Sequence, residues 1–215
     1  MEELKGGNNI MKELRIRCAA LSAIILLIIT STATAATIFW KDDSYQQEPF
    51  KKVFVLVTLQ DPTLKRQLED EFSKQLNNHG TDSVESYPIF SSHSLSDKES
   101  ITLKIKELEA EAIFIIRLMR VEKEDTTSSA NNYVVPTWYH DWYKYYSSGF
   151  KFIRIPTYTD DNYLVIAETN IYETPKKRLI WAARSDMFTV SCGCQELISF
   201  INVIIDKLSS DHLIK

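Results

Sequence analysis

Cysteine is scarce in this 215-residue chain, which has three of them. Cys18 lies near the amino terminus, and only Cys192 and Cys194 stand in the body of the sequence. Two thiols cannot build a disulfide scaffold, so the fold has to rest on an apolar core. The histidines are few as well. His79, His93, His140 and His212 are scattered, and none pairs at the spacing that places two metal ligands on one helical face. There is no basic tract and the formal net charge is −4, which argues against nucleic acid as a partner. No internal repeat is visible. Ser185 and Ser191 have no histidine and acid placed for a hydrolytic triad, and no motif implies a cofactor.

What the chain does have is a leader. Lys12, Arg15 and Arg17 form a basic head, Ala19 to Ile29 is an uncharged apolar run, and Ala33-Thr34-Ala35 supplies an A-x-A pattern. That order predicts a signal peptide over 1–36 and a periplasmic or otherwise exported protein. Met11-Lys12 reads as a better start than Met1. The 23 residues from Cys18 to Trp40 carry no charge, long enough for one bilayer crossing at about 20 residues, so an uncleaved inner-membrane anchor is the alternative. Cleavage near Ala35 or Ala36 leaves about 180 residues, the size of one domain. With 44% apolar and 25% charged residues, such a domain can bury a core.

Residues 37–50 read as a linker and 51–213 as a single α/β domain. Lys51 to Leu59, KKVFVLVTL, is a near-continuous aliphatic run of the kind found in strands covered on both faces. Asp61-Pro62 opens a helix whose Leu64, Leu68, Phe72 and Leu76 share a face, and His79-Gly80 closes it. Val84 to Phe90 reads as a second strand. Ser96 and Glu99 form a capping box for a helix that turns Ile101, Ile105 and Leu108 inward. Ala112 to Val121 is a third strand. The order β-α-β-α-β favours a parallel core in a mixed sheet of two or three layers. Tyr163 to Tyr172 and Arg178 to Thr189, joined by a polar turn, predict an antiparallel hairpin. A final helix over Gln195 to Ser209 would bury Leu197, Ile198, Ile201, Ile204, Ile205 and Leu208.

The lysine-led first strand, the proline-capped helix, the strand EAIFIIRLMRV and the hairpin resemble bacterial envelope proteins and lipoproteins with a domain similar to the amino-terminal domain of TolB. Penicillin-binding-protein activator lipoproteins share that plan. The hairpin carries the most specific part of the resemblance, through Asn170, Tyr172, Lys177, Leu179, Trp181, Arg184 and Ser185. The resemblance spans about Lys51 to Leu208 and implies assembly, adaptor or binding work without catalysis. No cysteine follows the apolar run, so a lipid anchor is not implied.

Two features carry chemistry. The insert 131–150 holds eight aromatic residues, Tyr133, Trp138, Tyr139, Trp142, Tyr143, Tyr145, Tyr146 and Phe150. Outside a regular pattern, such rings offer anchors for an envelope protein partner, or for a glycan or a membrane surface; they can also fold back as core. Cys192-Gly193-Cys194, just before the last helix, could hold a soft metal or cycle as a disulfide, though C-x-C is shorter than the usual redox spacing. Asp160-Asp161 with Glu168 read as turn caps, and Lys176-Lys177-Arg178 as a solvated hairpin tip. The expectation is therefore a non-enzymatic, exported binding protein, an assembly or accessory factor. A periplasmic thiol or metal protein is the alternative.

Overall fold

In the computed structural model, residues 37–46, 48–59, 61–90, 97–122, 135–149, 163–188 and 194–215 are described. Strand β2, Lys52–Thr58, is the innermost of the parallel strands. Val53, Phe54, Val55, Leu56 and Val57 are all fully buried, because both faces of the strand are covered. Each such side chain contributes about 1.5–3 kcal/mol. Around β2 a six-stranded mixed sheet forms, with β1 (Thr37–Lys41) at one edge, in the order β1-β6-β5-β4-β2-β3. Strands β3 (Asp82–Glu85) and β4 (Ala112–Glu122) run parallel to β2 on either side of it. β5 (Tyr163–Glu173) and β6 (Arg178–Phe188) form the antiparallel hairpin against β4.

Helices cover both faces, so the architecture has three layers. On one face, Leu68, Phe72 and Leu76 of α1 (Pro62–Asn78) and Phe200, Ile201, Ile204 and Leu208 of α4 (Cys194–Ser210) pack on Val53, Val55 and Val57. On the other face, Ile101 and Ile105 of α2 (Lys98–Glu107) and Trp142, Tyr145 and Tyr146 of α3 (Trp142–Gly149) pack on Phe54 and Leu56. Asp61 caps α1, its Oδ1 accepting from the amides of Thr63 at 2.9 Å and Leu64 at 3.1 Å. Gly80 takes φ +73° after that helix, as its lack of Cβ permits.

Five sequence expectations are corrected. The linker 37–50 contains β1, Thr37–Lys41, which pairs antiparallel with β6 from Thr37↔Ser185 to Lys41↔Trp181. It also contributes Tyr45 and Phe50 to the core. β3 ends at Glu85, well short of Phe90, because the Glu69 carboxylate replaces the next rung: it accepts the Val57 amide at 2.9 Å, the Ser86 hydroxyl at 2.6 Å and the Tyr87 amide at 2.8 Å. The cap of α2 is Asp97, which accepts the Ser100 amide at 2.8 Å, in place of a box built on Ser96. Strand alternation in the sequence places Leu179 and Trp181 on one face of β6, but Ile171 pairs with Trp181 while Tyr172 pairs with Leu179. The extra residue, Ile180, is a bulge that sends Leu179 to the α2–α3 side and Trp181 to the α1–α4 side. On α4, Ile198 is 41% exposed, and Phe200 takes a place in the core that Ile198 was expected to fill.

Residues 35–215 form one compact unit that includes β1. The expected signal peptide 1–36 lies outside the described residues. Among the described residues no helix is long and apolar enough to cross a membrane.

Candidate functional site

The aromatic segment is regular, contrary to the expectation of an irregular loop. A single 3-10 turn, Thr137–His140, leads into α3, and the Asp141 carboxylate caps α3 by accepting the amides of Tyr143 at 3.0 Å and Lys144 at 3.2 Å. The i, i+3, i+4 spacing of Trp142, Tyr145 and Tyr146 puts these rings on one face. That face lies on the sheet: Tyr139 is 3% exposed, Trp142 2%, Tyr145 0% and Tyr146 1%. As free partner-binding rings these four are therefore corrected; they are core. Tyr143 is half-buried, with the Lys98 ammonium 5.9 Å from its ring centroid. Tyr133, Phe150 and the Trp138 side chain lie outside the described residues.

Beneath this segment the sheet carries a charged row. Cross-strand pairing aligns Thr58 on β2, Arg117 on β4, Glu168 on β5 and Arg184 on β6. β2 connects to β3 on one side through α1, and β3 connects to β4 on the other through α2. The row therefore crosses the carboxyl end of β2 at the topological switch between β2 and β4, where open α/β sheets usually bind ligands. Here that position is filled by the protein itself. Glu168 is fully buried and pairs with the Arg117 guanidinium. The Tyr139 hydroxyl lies 2.8 Å from both carboxylate oxygens, and the Tyr145 hydroxyl lies 3.3 Å from Oε2. Arg184 approaches to 4.0 Å. Arg117 also donates to the Ser148 hydroxyl at 2.6 Å and stacks 4.4 Å from the centre of the Tyr145 ring. Burial works against the charge on Arg117, but Tyr145 and Glu168 hold its pKa above the ordinary value. Burial, then the Glu168 charge, pushes the Tyr145 phenol well up. Farther along β5, Asn170 donates to the Tyr172 hydroxyl at 3.2 Å, and that hydroxyl donates to the Tyr139 carbonyl at 2.6 Å. The chemistry of this cluster is a latch that holds α3 and its turn on the sheet.

On the opposite face, Lys65 is 1% exposed with its ammonium 3.7 Å from Glu69. Burial lowers the lysine pKa and raises that of Glu69, each opposed by attraction to the other. With three donors from β2 and the turn after β3, Glu69 serves the backbone.

An open concavity lies at the other end of α2. A half-open groove of about 460 Å³ runs between α2, the start of β4 and the hairpin turn. Ile105, Ala110, Ile113 and Trp142 give it apolar walls, and Lys106 and Lys177 stand at its rim. Trp142 is the residue of the aromatic segment that reaches it. Glu109, just past the end of α2, and Lys177 both adopt φ 54°, so two tight turns shape the opening. Leu103, on the same helix, is 62% exposed.

No protein-family model matches the chain, and no curated protein does. Among solved structures, two crystal forms of the PelC dodecamer from Paraburkholderia phytofirmans align at 12% identity and a TM-score of 0.43. They cover 81% and 84% of this chain and 96% and 99% of theirs. A PDZ domain protein from Parabacteroides distasonis aligns at 12% identity and a TM-score of 0.33, over 85% of this chain and 38% of that one. At these scores the likenesses assign neither a fold family nor a function, and nothing in them points to a TolB-like domain.

Of the other sequence candidates, Cys192 and the Cys194 side chain lie outside the described residues, as do Asp160 and Asp161. His79 contacts the Lys215 carbonyl at 2.9 Å, and His140 and His212 are exposed. Among the described residues no group of three or more histidine, cysteine or acidic side chains could hold a metal ion. The latch was missed by sequence reasoning, which took Glu168 for a turn cap. Its signal was there: Arg117 in AIFIIRLMRV and Glu168 in YLVIAETNIY are charges inside long apolar strands.

Proposed function

We propose that the chain is an exported bacterial cell-envelope protein that acts by binding, as a non-enzymatic assembly or accessory factor, and that the groove walled by Trp142 is its docking site. The groove is the observation that carries this reading: it is open, apolar and rimmed by charge, and a rigid helix, strand and hairpin build its walls. The engaged state of Glu168 and Glu69 supports binding over turnover, since donors of the chain itself occupy both carboxylates. The basic head, apolar run and A-x-A pattern of residues 11–36 support export.

The test is placement of a photoreactive amino acid at Thr102, on the groove wall, and separately at Asp206, exposed on α4, in the full-length chain in cells. The expected result is recovery from the envelope fraction with an adduct formed from Thr102 and none from Asp206. Recovery from the cytosol, or equal adducts from both positions, overturns the reading.

A further inference from the structure

Among the described residues, the most exposed large apolar side chain and the groove belong to the same short helix. Three large apolar side chains stand in solvent, Leu103 at 62%, Ile198 at 41% and Val203 at 38% exposure. Leu103 lies near the middle of α2, and Thr102, Ile105 and Lys106 of α2 line the groove. At about 100° per residue, Leu103 stands roughly 60° round the helix from Lys106 and 100° from Thr102. A knob and a hole thus sit side by side, and the knob cannot reach its own hole.

Lys98 and Glu99 open α2, and Lys104, Lys106 and Glu107 close it. Lys98 lies 3.9 Å from Asp141 and Lys104 is paired with Glu107 at 3.0 Å, whereas Glu99 and Lys106 are exposed and make no ion pair among the described residues. A second α2 laid antiparallel against the first brings each of these two to the other's counterpart, with the helix dipoles opposed as well.

We propose that the groove is filled by Leu103 of a second copy of this chain. The two copies meet about a two-fold axis at α2, each Leu103 entering the other's groove and each Glu99 facing the other's Lys106. This rests on the binding reading above and names the partner. Such a contact is isologous, so it closes as a dimer and leaves no half of the pair exposed. The groove, at about 460 Å³, has room for the leucine side chain. A different protein would have to match both the knob and the hole; a second copy does so by symmetry alone.

The experiment uses the full-length chain with the photoreactive amino acid at Thr102, produced together with an epitope-tagged copy. The expected product is an adduct containing both copies. Leu103→Lys should reduce it by about tenfold or more, as removal of a central apolar anchor does. Lys106→Glu should weaken it, and adding Glu99→Lys to that variant should restore it, which no general loss of folding would do. An adduct with a different protein and none with the tagged copy overturns the dimer and leaves the docking site standing. No adduct of any kind overturns both. A self-adduct indifferent to Leu103→Lys, or a charge swap that fails to restore it, overturns the two-fold contact.

Discussion

Arg117 and Glu168 face each other across β4 and β5 in the interior of the sheet, 3% and 0% exposed, with the Tyr139 hydroxyl within hydrogen-bonding distance of both. Two opposite charges in such a place are stable only while they are together. Their attraction offsets a desolvation cost that either would otherwise bear alone.

Glu168→Gln should therefore destabilise the protein by about 3–5 kcal/mol, since it leaves a buried guanidinium without its counter-charge. Replacing both partners, Arg117→Met with Glu168→Leu, should cost less than the single change. Urea denaturation of the wild type, Glu168→Gln, the single variants Arg117→Met and Glu168→Leu, and the double variant checks this. A double variant as unstable as the sum of its parts would show that the two residues act independently.

The aromatic segment is core. Tyr145→Ala or Tyr146→Ala should each cost about 3–5 kcal/mol, the range for truncating a buried ring. Tyr143→Ala should cost clearly less, because Tyr143 is only half-buried. Were these rings a loop outside the core, substituting Trp138, Tyr139, Trp142 and Tyr143 together with serine would leave the melting midpoint unchanged. The burial of Tyr139 and Trp142 reverses that: the variant should unfold at ambient temperature. Circular dichroism melts distinguish the two outcomes.

The strands, α1 and the hairpin were legible because their signals are local. The run KKVFVLVTL, the cap Asp61-Pro62 and two long alternating segments each need only their own residues. The bulge at Ile180 was not legible, since nothing in RLIWAARSDMF says which residue lacks a partner on β5. Nor was β1, because TIFW closes the uncharged stretch that begins at Cys18 and reads as its tail. The aromatic segment misled for a different reason. Its helical spacing is present in Trp142, Tyr145 and Tyr146, but a dense run of rings between strands has the composition of a binding surface as much as of a core helix. The groove could not be seen at all, since α2, β4 and the hairpin turn meet only in the fold.

Tyr45 makes the protein sensitive to strong alkali. Burial, and then the nearby charge of Glu173, raises its phenol to about 12. A raised folded-state value keeps the proton on in the native state after the unfolded chain has lost it. The contribution is therefore complete below pH 10, the ordinary tyrosine value, and is lost as pH rises from 10 through about 12. Tyr45→Phe removes the ionisable group. The stability difference between wild type and Tyr45→Phe should shift against the wild type over that interval and stay flat from pH 7 to 9. A flat difference throughout would mean that Tyr45 titrates alike in both states.

Trp181 ties the far side of the sheet to the end of α4. Its ring is fully buried and lies 5.8 Å from Phe39 on β1, and its indole Nε1–H donates to Asp211 at 2.9 Å. Asp211 also accepts from Lys207 at 2.7 Å, while its carbonyl takes the Lys41 ammonium at 2.8 Å. One position therefore joins β1, β6 and α4. Trp181→Phe keeps most of the apolar volume and loses the hydrogen bond. It should cost about 1–2 kcal/mol, because Lys207 still satisfies part of the carboxylate. Trp181→Ala should cost about 3–5 kcal/mol, for the cavity is enclosed between sheet and helix. In hydrogen exchange, the alanine variant should lose protection in β1 before β2, since β1 is an edge strand held by β6 alone and β2 is flanked on both sides. Loss of protection in β2 first would place the weak point in the parallel core and detach Trp181 from the edge it is argued to hold.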